Sequence, residues 1–393
     1  MQDTPGKNHD RLRVQFFIGT RPECIKLSPL VAELERRHDD FEVSVCLTSQ
    51  HREMLQQALE WFPIRVDHDL DVMTEGQHLV DLQARILMRS RGVIEDFRPD
   101  WVVVQGDTTT ALSAAMAATW LQVPVAHVEA GLRTGNRMAP WPEELNRSLI
   151  GRMALLHLAP TEANADALRH EAVEGAIDVV GNTVIDALLD IRERLRSNEE
   201  LRGETEERLQ ALGLALDARR LMLVTGHRRE SFGEGFRQIC QALKAIALGH
   251  PELHVVYAVH LNPQVHDLVH RELEGLDNVT LLPPLDYAAF VYLMDRSYLI
   301  LSDSGGVQEE APSLDRPVLV MRETTERQEA VDAGAVRLVG TGKERIVAAV
   351  DELLGDEAQY RRMASARNPF GDGTASAQIA ECLLRERHRR EPE

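Results

Sequence analysis

The residues that could do chemistry cluster in a few short stretches. GDTTT (106–110) carries Asp107, and the run EAGLRTGNRMAPWPEELNRS (129–148) carries Glu129, Arg133, Arg137, Glu143, Glu144 and Arg147. Carboxylates interleaved with arginines suit proton transfer on either face of a substrate. Each also has a structural reading. Asp107 and Thr108–Thr110 are ordinary N-cap residues for a helix beginning near 109, and Glu143 and Glu144 follow Pro142, where acids complement a helix dipole. Glu129 is harder to dismiss, because a carboxylate ending an apolar strand has little reason to be there without a partner. Cations gather in GTRPECIK (19–26), where Gly19 permits a tight turn and Arg21 and Lys26 flank a helix start, forming an anion cradle. No GxGxxG occurs there, so a dinucleotide is not implied.

A second set lies further on. TGHRRESFGEGF (225–236) offers His227, Arg228 and Arg229 as cationic donors, with Gly233 and Gly235 allowing close backbone approach. In SDSGGVQEEAPSL (302–314), Ser304, Gly305 and Gly306 would present a hydroxyl and N–H groups to a phosphate, and Glu310 would accept from ribose hydroxyls. Glu309 reads as a solvated helix face, and Arg327 falls in another loop, ETTERQEA. His51, His127, His157 and His260 lack the spacing of a metal site, and the four cysteines form no CxxC pair.

Elements must hold these stretches in place. Apolar runs at 12–18, 41–48, 101–105, 124–130, 155–159 and 177–180 alternate with helical patterns, and several lack polar alternation, as strands covered on both faces do. The alternation breaks over 191–220, a charged, helix-prone stretch read as helices bridging two halves. It resumes at 221–225, 253–259, 279–282, 298–302, 317–321 and 335–340. Two doubly wound α/β domains with a cleft between them are expected, followed by a terminal helix over 373–390. In such folds ligands sit at the carboxyl ends of strands, and the motifs above fall in those loops.

The 393 residues carry 44 Lys+Arg against 63 Asp+Glu, a net charge of −19 spread over both halves. An even negative field argues against nucleic acid or an anionic membrane as partner. It stands in tension with a small anionic ligand. The polar N-terminal stretch has no apolar leader and no long apolar run follows, which predicts a cytoplasmic protein.

Taken together, GTRPE, TSQHREML (48–55), GDTTT, HVEAGLRTG, PWPEELNR, TGHRRESFGEG, SDSGGVQEEAPSL and TTER resemble, in order and spacing, the non-hydrolysing UDP-N-acetylglucosamine 2-epimerase family. The likeness runs from about Arg13 to about Gly340. It implies a GT-B fold: an N-terminal Rossmann-like domain over 13–190 carrying the catalytic carboxylates, a UDP-binding domain over 191–370 and a C-terminal helix over 371–393, usually as a homodimer. It implies interconversion of UDP-N-acetylglucosamine and UDP-N-acetylmannosamine by elimination and re-addition of UDP, with no cofactor and no metal, for surface polysaccharide synthesis. By the same resemblance Asp107, Glu129 and Glu143 match the acid/base groups, and His227 the group that stabilises departing UDP. Arg21, Lys26 and Arg147 match residues around the diphosphate and sugar, Phe290 packs near the uracil, Ser304, Gly305 and Gly306 bind phosphate, Glu310 holds the ribose and Arg327 reaches the sugar. Phe290 also reads as a core aromatic. Gln50, Gln77 and His260 match an allosteric UDP-sugar site of some members, although Glu53, where a regulated member has Gln, would repel a diphosphate. A hydrolysing 2-epimerase and a GT-B glycosyltransferase are the alternatives.

Overall fold

The computed structural model describes residues 11–49, 52–74, 76–217, 219–226, 228 and 232–390, without the side chains of 52–54, 56, 57 and 388–390. The chain forms two compact units, one comprising residues up to Ala187 together with those from Gly371, the other Leu188–Phe370. Both are doubly wound parallel α/β domains, the pair of Rossmann-like domains that defines the GT-B type.

The first unit is built on a seven-stranded sheet: β1 (Leu12–Ile18), β2 (Phe41–Leu47), β3 (His68–Asp69), β4 (Trp101–Gln105), β5 (Val125–Val128), β6 (Leu156–Ala159) and β7 (Ala176–Val179). Their order is β3-β2-β1-β4-β5-β6-β7, all parallel. The central strands are apolar along their length because helices cover both faces. All five residues of β4 are buried. The helix Thr109–Trp120 shows why the alanines cluster there: nine of its residues are buried, and only small side chains let neighbouring helices approach so closely on several sides. The chain runs outward from β1 to β3 and then returns to lay β4 on the other side of β1. The β1/β4 boundary is therefore the topological switch point.

The second unit repeats the plan with six strands: β8 (Arg220–Thr225), β9 (Leu253–Ala258), β10 (Val279–Leu282), β11 (Ser297–Ser302), β12 (Val318–Val320) and β13 (Val336–Leu338), ordered β10-β9-β8-β11-β12-β13. Its switch point lies between β8 and β11. The charged stretch after 190 is helical, as its composition indicates, in Thr183–Ser197 and Glu199–Ala211. The latter helix belongs to the second unit, where Glu206 accepts from Tyr292 Oη at 2.5 Å. The terminal helix Ala375–Arg390 belongs to the first unit. Asp186 accepts from the backbone N–H groups of Ala375 (3.3 Å) and Ser376 (2.7 Å) at its start, and Arg37 pairs with Glu381 at 2.5 Å. All four cysteines are free and buried. Among the described residues no helix is long and apolar enough to cross a membrane.

Candidate active site

In the first unit the loops after β1, β4 and β5 meet at the switch point. Gly19 leaves β1 under tight constraint: a Cβ there would lie 2.0 Å from Thr110 Oγ1 and 2.6 Å from Thr48 Oγ1, two hydroxyls that bond each other at 2.8 Å. The helix Arg21–Arg36 follows at once. Arg21 is its first residue and takes no side-chain partner among the described residues. Lys26, one turn further, reaches Glu129 Oε2 at 2.5 Å, with only 15% and 11% of the two side chains exposed. Gln105 Nε2 donates to the same oxygen. Glu129 adopts a φ of 62°, and Gly106 one of 67°. The left-handed conformation costs a non-glycine residue about 1–2 kcal/mol, so the turn that carries the Glu129 carboxylate is held there by its surroundings.

Asp107 leaves β4 just as Glu129 leaves β5. Gln105 is level with Val128 in the sheet, and Gly106 N–H donates to Val128 O at 3.0 Å, so the two carboxylates depart from neighbouring strands at matching levels. The Asp107 carboxylate takes Arg147 Nη2 at 2.5 Å, and its carbonyl accepts from Asn146 Nδ2 at 2.8 Å. Arg147 is buried and also pairs with Glu144 at 3.2 Å. Its Nη1 faces Glu144 in that ion pair, and its Nε completes no hydrogen bond among the described residues. Glu143 opens the helix Glu143–Met153, half-buried and with no side-chain partner among the described residues.

In the second unit Thr225, ending β8, and Ser302, ending β11, join through their hydroxyls at 2.6 Å. The fully buried Asp303 accepts from Arg228 N–H at 2.8 Å. His227, between them in the motif, lies outside the described residues, as does Gln50. Ser304 stands before the six-residue helix Gly305–Glu310. A Cβ on Gly305 would sit 3.2 Å from the Arg327 guanidinium carbon, so glycine here gives the cation room against the loop. Glu310 accepts from Tyr287 Oη at 2.8 Å, and that phenol, buried beside a carboxylate, is pushed well above its ordinary range. Phe290 lies on the same helix as Tyr287 and is half-buried, whereas six of its helix neighbours are buried. Glu309 corrects the expectation of a solvated face: it is 3% exposed and binds Arg327 Nε at 2.8 Å. A carboxylate one residue away from Glu310 on so short a helix falls on its inner side, where only a paired charge is tolerated.

The family model described as UDP-N-acetylglucosamine 2-epimerase matches residues 32–384. The UDP-N-acetylglucosamine 2-epimerase of Yersinia pestis is 54% identical over 373 residues, covering 95% of this chain and 98% of its own. That of Escherichia coli is 51% identical over 378 residues, covering 96% and 99%. The crystal structure of UDP-GlcNAc 2-epimerase from Neisseria meningitidis bound to UDP-GlcNAc superposes with a TM-score of 0.87 at 44% identity, covering 95% of this chain and 100% of that one. The chain belongs to the UDP-N-acetylglucosamine 2-epimerase family.

In this member of the 2-epimerase family, four residues to which the motifs gave no catalytic or binding role hold these loops, three in the first unit and Asp303 in the second. Glu23 is fully buried and accepts four hydrogen bonds. They come from Gly19 N–H (3.0 Å), Thr20 N–H (2.7 Å), Thr20 Oγ1 (2.9 Å) and Thr108 Oγ1 (2.6 Å). Burial pushes its carboxyl up to about 7 although all four donors oppose the shift. Its spacing from Thr20, T-x-x-E before an apolar run, is the helix-start signature that would have found it. Glu144, 3% exposed, accepts the N–H groups of Thr134 and Gly135, each at 3.0 Å, and so fixes the loop before Glu143. Its i, i+3 relation to Arg147 was visible in the sequence. His127, on β5, bonds the carbonyl of Gly106 through Nε2 at 2.7 Å, and burial holds its pKa down to about 3. Asp303 had no signal beyond its place between two serines. Of the remaining expected positions, Gln77 accepts from Thr74 Oγ1 at 3.0 Å in the loop after β3, and His260 is exposed after β9, where Nδ1 accepts from Asn262 N–H at 3.0 Å.

Proposed function

We propose that this chain interconverts UDP-N-acetylglucosamine and UDP-N-acetylmannosamine by inversion at C2 of the sugar. The C2 hydrogen is not adjacent to a carbonyl, so removing it alone is too costly. Elimination solves this: a carboxylate takes the C2 proton as the bond from C1 to the diphosphate oxygen breaks, giving a 2-acetamidoglucal and UDP. UDP then re-adds at C1 while C2 is protonated from the opposite face. The path needs acid/base groups near C2 and cations for the leaving diphosphate.

The observation that carries this reading is the concentration of Lys26, Asp107, Glu129 and Arg147 at the carboxyl edge of the first sheet, each carboxylate paired to a cation. Asp107, Glu129 and Glu143 serve as the proton-transfer groups. Arg21, Lys26, Arg147 and His227 hold the diphosphate and sugar, with His227 assisting departure of UDP. In the second unit Ser304, Gly305 and Gly306 take phosphate, Glu310 the ribose, Phe290 the uracil and Arg327 the sugar. We assign the product to surface polysaccharide synthesis in the cytoplasm and the working form to a homodimer; a sedimentation mass equal to one chain would overturn the dimer.

Proton NMR of UDP-N-acetylglucosamine with the protein in D₂O tests the reaction. Deuterium should enter C2 of both epimers while the UDP-sugar pool is conserved. Stoichiometric release of UDP and free N-acetylmannosamine would instead identify a hydrolase, and sugar transfer to an acceptor without C2 exchange a glycosyltransferase.

A further inference from the structure

Asp107 sits in a three-residue turn, Gly106-Asp107-Thr108, that the rest of the first unit grips from several sides. Upstream, His127 bonds the Gly106 carbonyl; at Asp107 itself, Asn146 bonds the carbonyl. Downstream, Thr108 Oγ1 does two things at once. It accepts Ala111 N–H at 3.0 Å, capping the helix Thr109–Trp120, and donates to Glu23 Oε1 at 2.6 Å. The other Glu23 oxygen takes Gly19 N–H, Thr20 N–H and Thr20 Oγ1. One buried carboxyl thus ties the turn that bears Asp107, after β4, to the turn that bears Arg21, after β1, across the switch point. A helix-start role uses only the Thr20 contacts. The contact to Thr108, 85 residues away in sequence, needs a different explanation.

We propose that Glu23 is a positioning residue for epimerisation, acting through Thr108 to fix the Asp107 carboxylate relative to the cationic turn at Arg21. This rests on the reading of Asp107 as a proton-transfer group. Among the described residues the turn after β4 makes no backbone bond to the sheet beyond Gly106 N–H, and Thr108 then enters the helix through Leu112 N–H, so Asp107 between them is held by the side-chain bonds of Asn146 and, through Thr108, of Glu23. A displacement of about 1 Å in a reacting group can cost roughly 10²-fold in rate. The diphosphate-binding groups keep their own anchors, so ground-state binding should move little.

The test is a set of steady-state and C2-exchange measurements on the full chain. Glu23→Ala and Thr108→Val should each lower kcat by about 10- to 100-fold while KM and UDP affinity stay within about threefold, the pattern of an interaction made in the transition state. Glu23→Gln should restore most of kcat, because its amide oxygen can take the Gly19 and Thr20 N–H groups while its NH₂ donates to the free lone pair of Thr108 Oγ1. Thr108→Ser keeps both bonds and should match the parent. In the double variant Glu23→Ala/Thr108→Val the losses should not add, since both act on one contact. Tryptophan fluorescence in urea verifies that each variant is folded. Should Glu23→Ala fail to fold, Thr108→Val and Thr108→Ser carry the test. Parental kcat in folded Thr108→Val, or a rise in KM with kcat intact, overturns the proposal. Asp107→Asn separates the two ideas: if it retains full turnover the assignment of Asp107 fails, whereas if it is inactive and Thr108→Val is normal, only the positioning role fails.

Discussion

Replacing Arg147 by Met exposes how the site's charges are held. The guanidinium is buried between Asp107 Oδ2 at 2.5 Å and Glu144 Oε2 at 3.2 Å. The two acids are not equally dependent on it. The Asp107 side chain keeps 25% of its surface and can be rehydrated, whereas that of Glu144 is 4% exposed and would retain only the loop N–H groups of Thr134 and Gly135. Breaking a buried pair by removing one partner costs about 3–5 kcal/mol, and the remaining amide donors put Arg147→Met near the lower bound, about 3 kcal/mol. With a urea m-value of about 2 kcal/mol/M, the unfolding midpoint should drop by about 1.5 M. Adding Glu144→Gln removes the stranded charge while its amide oxygen still accepts the loop N–H groups. The double variant should therefore recover about 1 kcal/mol, a coupling visible in a double-mutant cycle. The assay is built into the sequence: all four tryptophans, Trp61, Trp101, Trp120 and Trp141, lie in the first unit, so intrinsic fluorescence follows that unit alone. A midpoint for Arg147→Met within experimental error of the parent, or strict additivity with Glu144→Gln, would refute the reasoning.

Asp107→Asn, Glu129→Gln and Glu143→Gln should each reduce turnover by about 10²–10⁴-fold with UDP affinity preserved by calorimetry; near-normal turnover in all three would remove the proton-transfer assignment. For Gly19→Ala, a Cβ meeting Thr110 Oγ1 and Cβ at 2.0 and 2.8 Å should lower first-unit stability by roughly 1–3 kcal/mol, the cost of overpacking, read as a lower urea midpoint. Acid stability should show two opposed slopes. His127, at about 3 in the fold and near 6.5 unfolded, makes stability fall as pH drops from about 6.5 towards 3. Glu23, at about 7 in the fold against an ordinary 4.5, makes stability fall as pH rises from 4.5 towards 7. Each contributes on the order of 1 kcal/mol per pH unit, so between pH 4.5 and 6.5 they offset one another. Glu23→Gln should unmask the His127 slope as a urea midpoint that climbs with pH across that window, and superimposable pH profiles for parent and variant would count against both shifts.

The alternation of apolar runs and helical patterns marked twelve of the strands to within a few residues, because a strand covered on both faces leaves a continuous apolar signature. The two-residue β3 left none: His68 and Asp69 are polar, and their pairing with Cys46 and Leu47 is set by the chain leaving β2, not by burial. The site divides in the same way. Gly19, Asp107 and Glu129 fall at strand ends, and Arg21 and Lys26 in the helix start that follows one, places legible once the strands are, whereas Arg147 lies inside the helix Glu143–Met153. How these residues pair was not legible. That Glu129 meets Lys26 rather than Arg133, and that Arg133 instead grips Glu171 at 2.7 Å, depends on which strands are neighbours, and a parallel sheet hides that order behind its crossovers. Glu309 shows the same limit on a smaller scale: a six-residue helix gives too few positions for its periodicity to reveal an inner face.

Sheet order also answers how a chain at −19 can offer a site to a diphosphate. Some of the acids lie on exposed helix faces in pairs such as Arg91–Glu95 and Arg361–Glu357, which water screens. At the β1/β4 switch point the balance differs, because the acids there are already engaged: Glu129 by Lys26, Asp107 and Glu144 by Arg147, Glu23 by four neutral donors. Arg21 remains beside them on a helix start, half-buried and with no side-chain partner among the described residues. An incoming anion therefore meets unspent donors at a positive helix end rather than the mean charge of the surface. Arg21→Gln would test this directly: UDP affinity should weaken by about tenfold, the loss of one charge-assisted hydrogen bond, with the salt dependence of binding reduced. An unchanged affinity would mean that the diphosphate is held without the cationic turn.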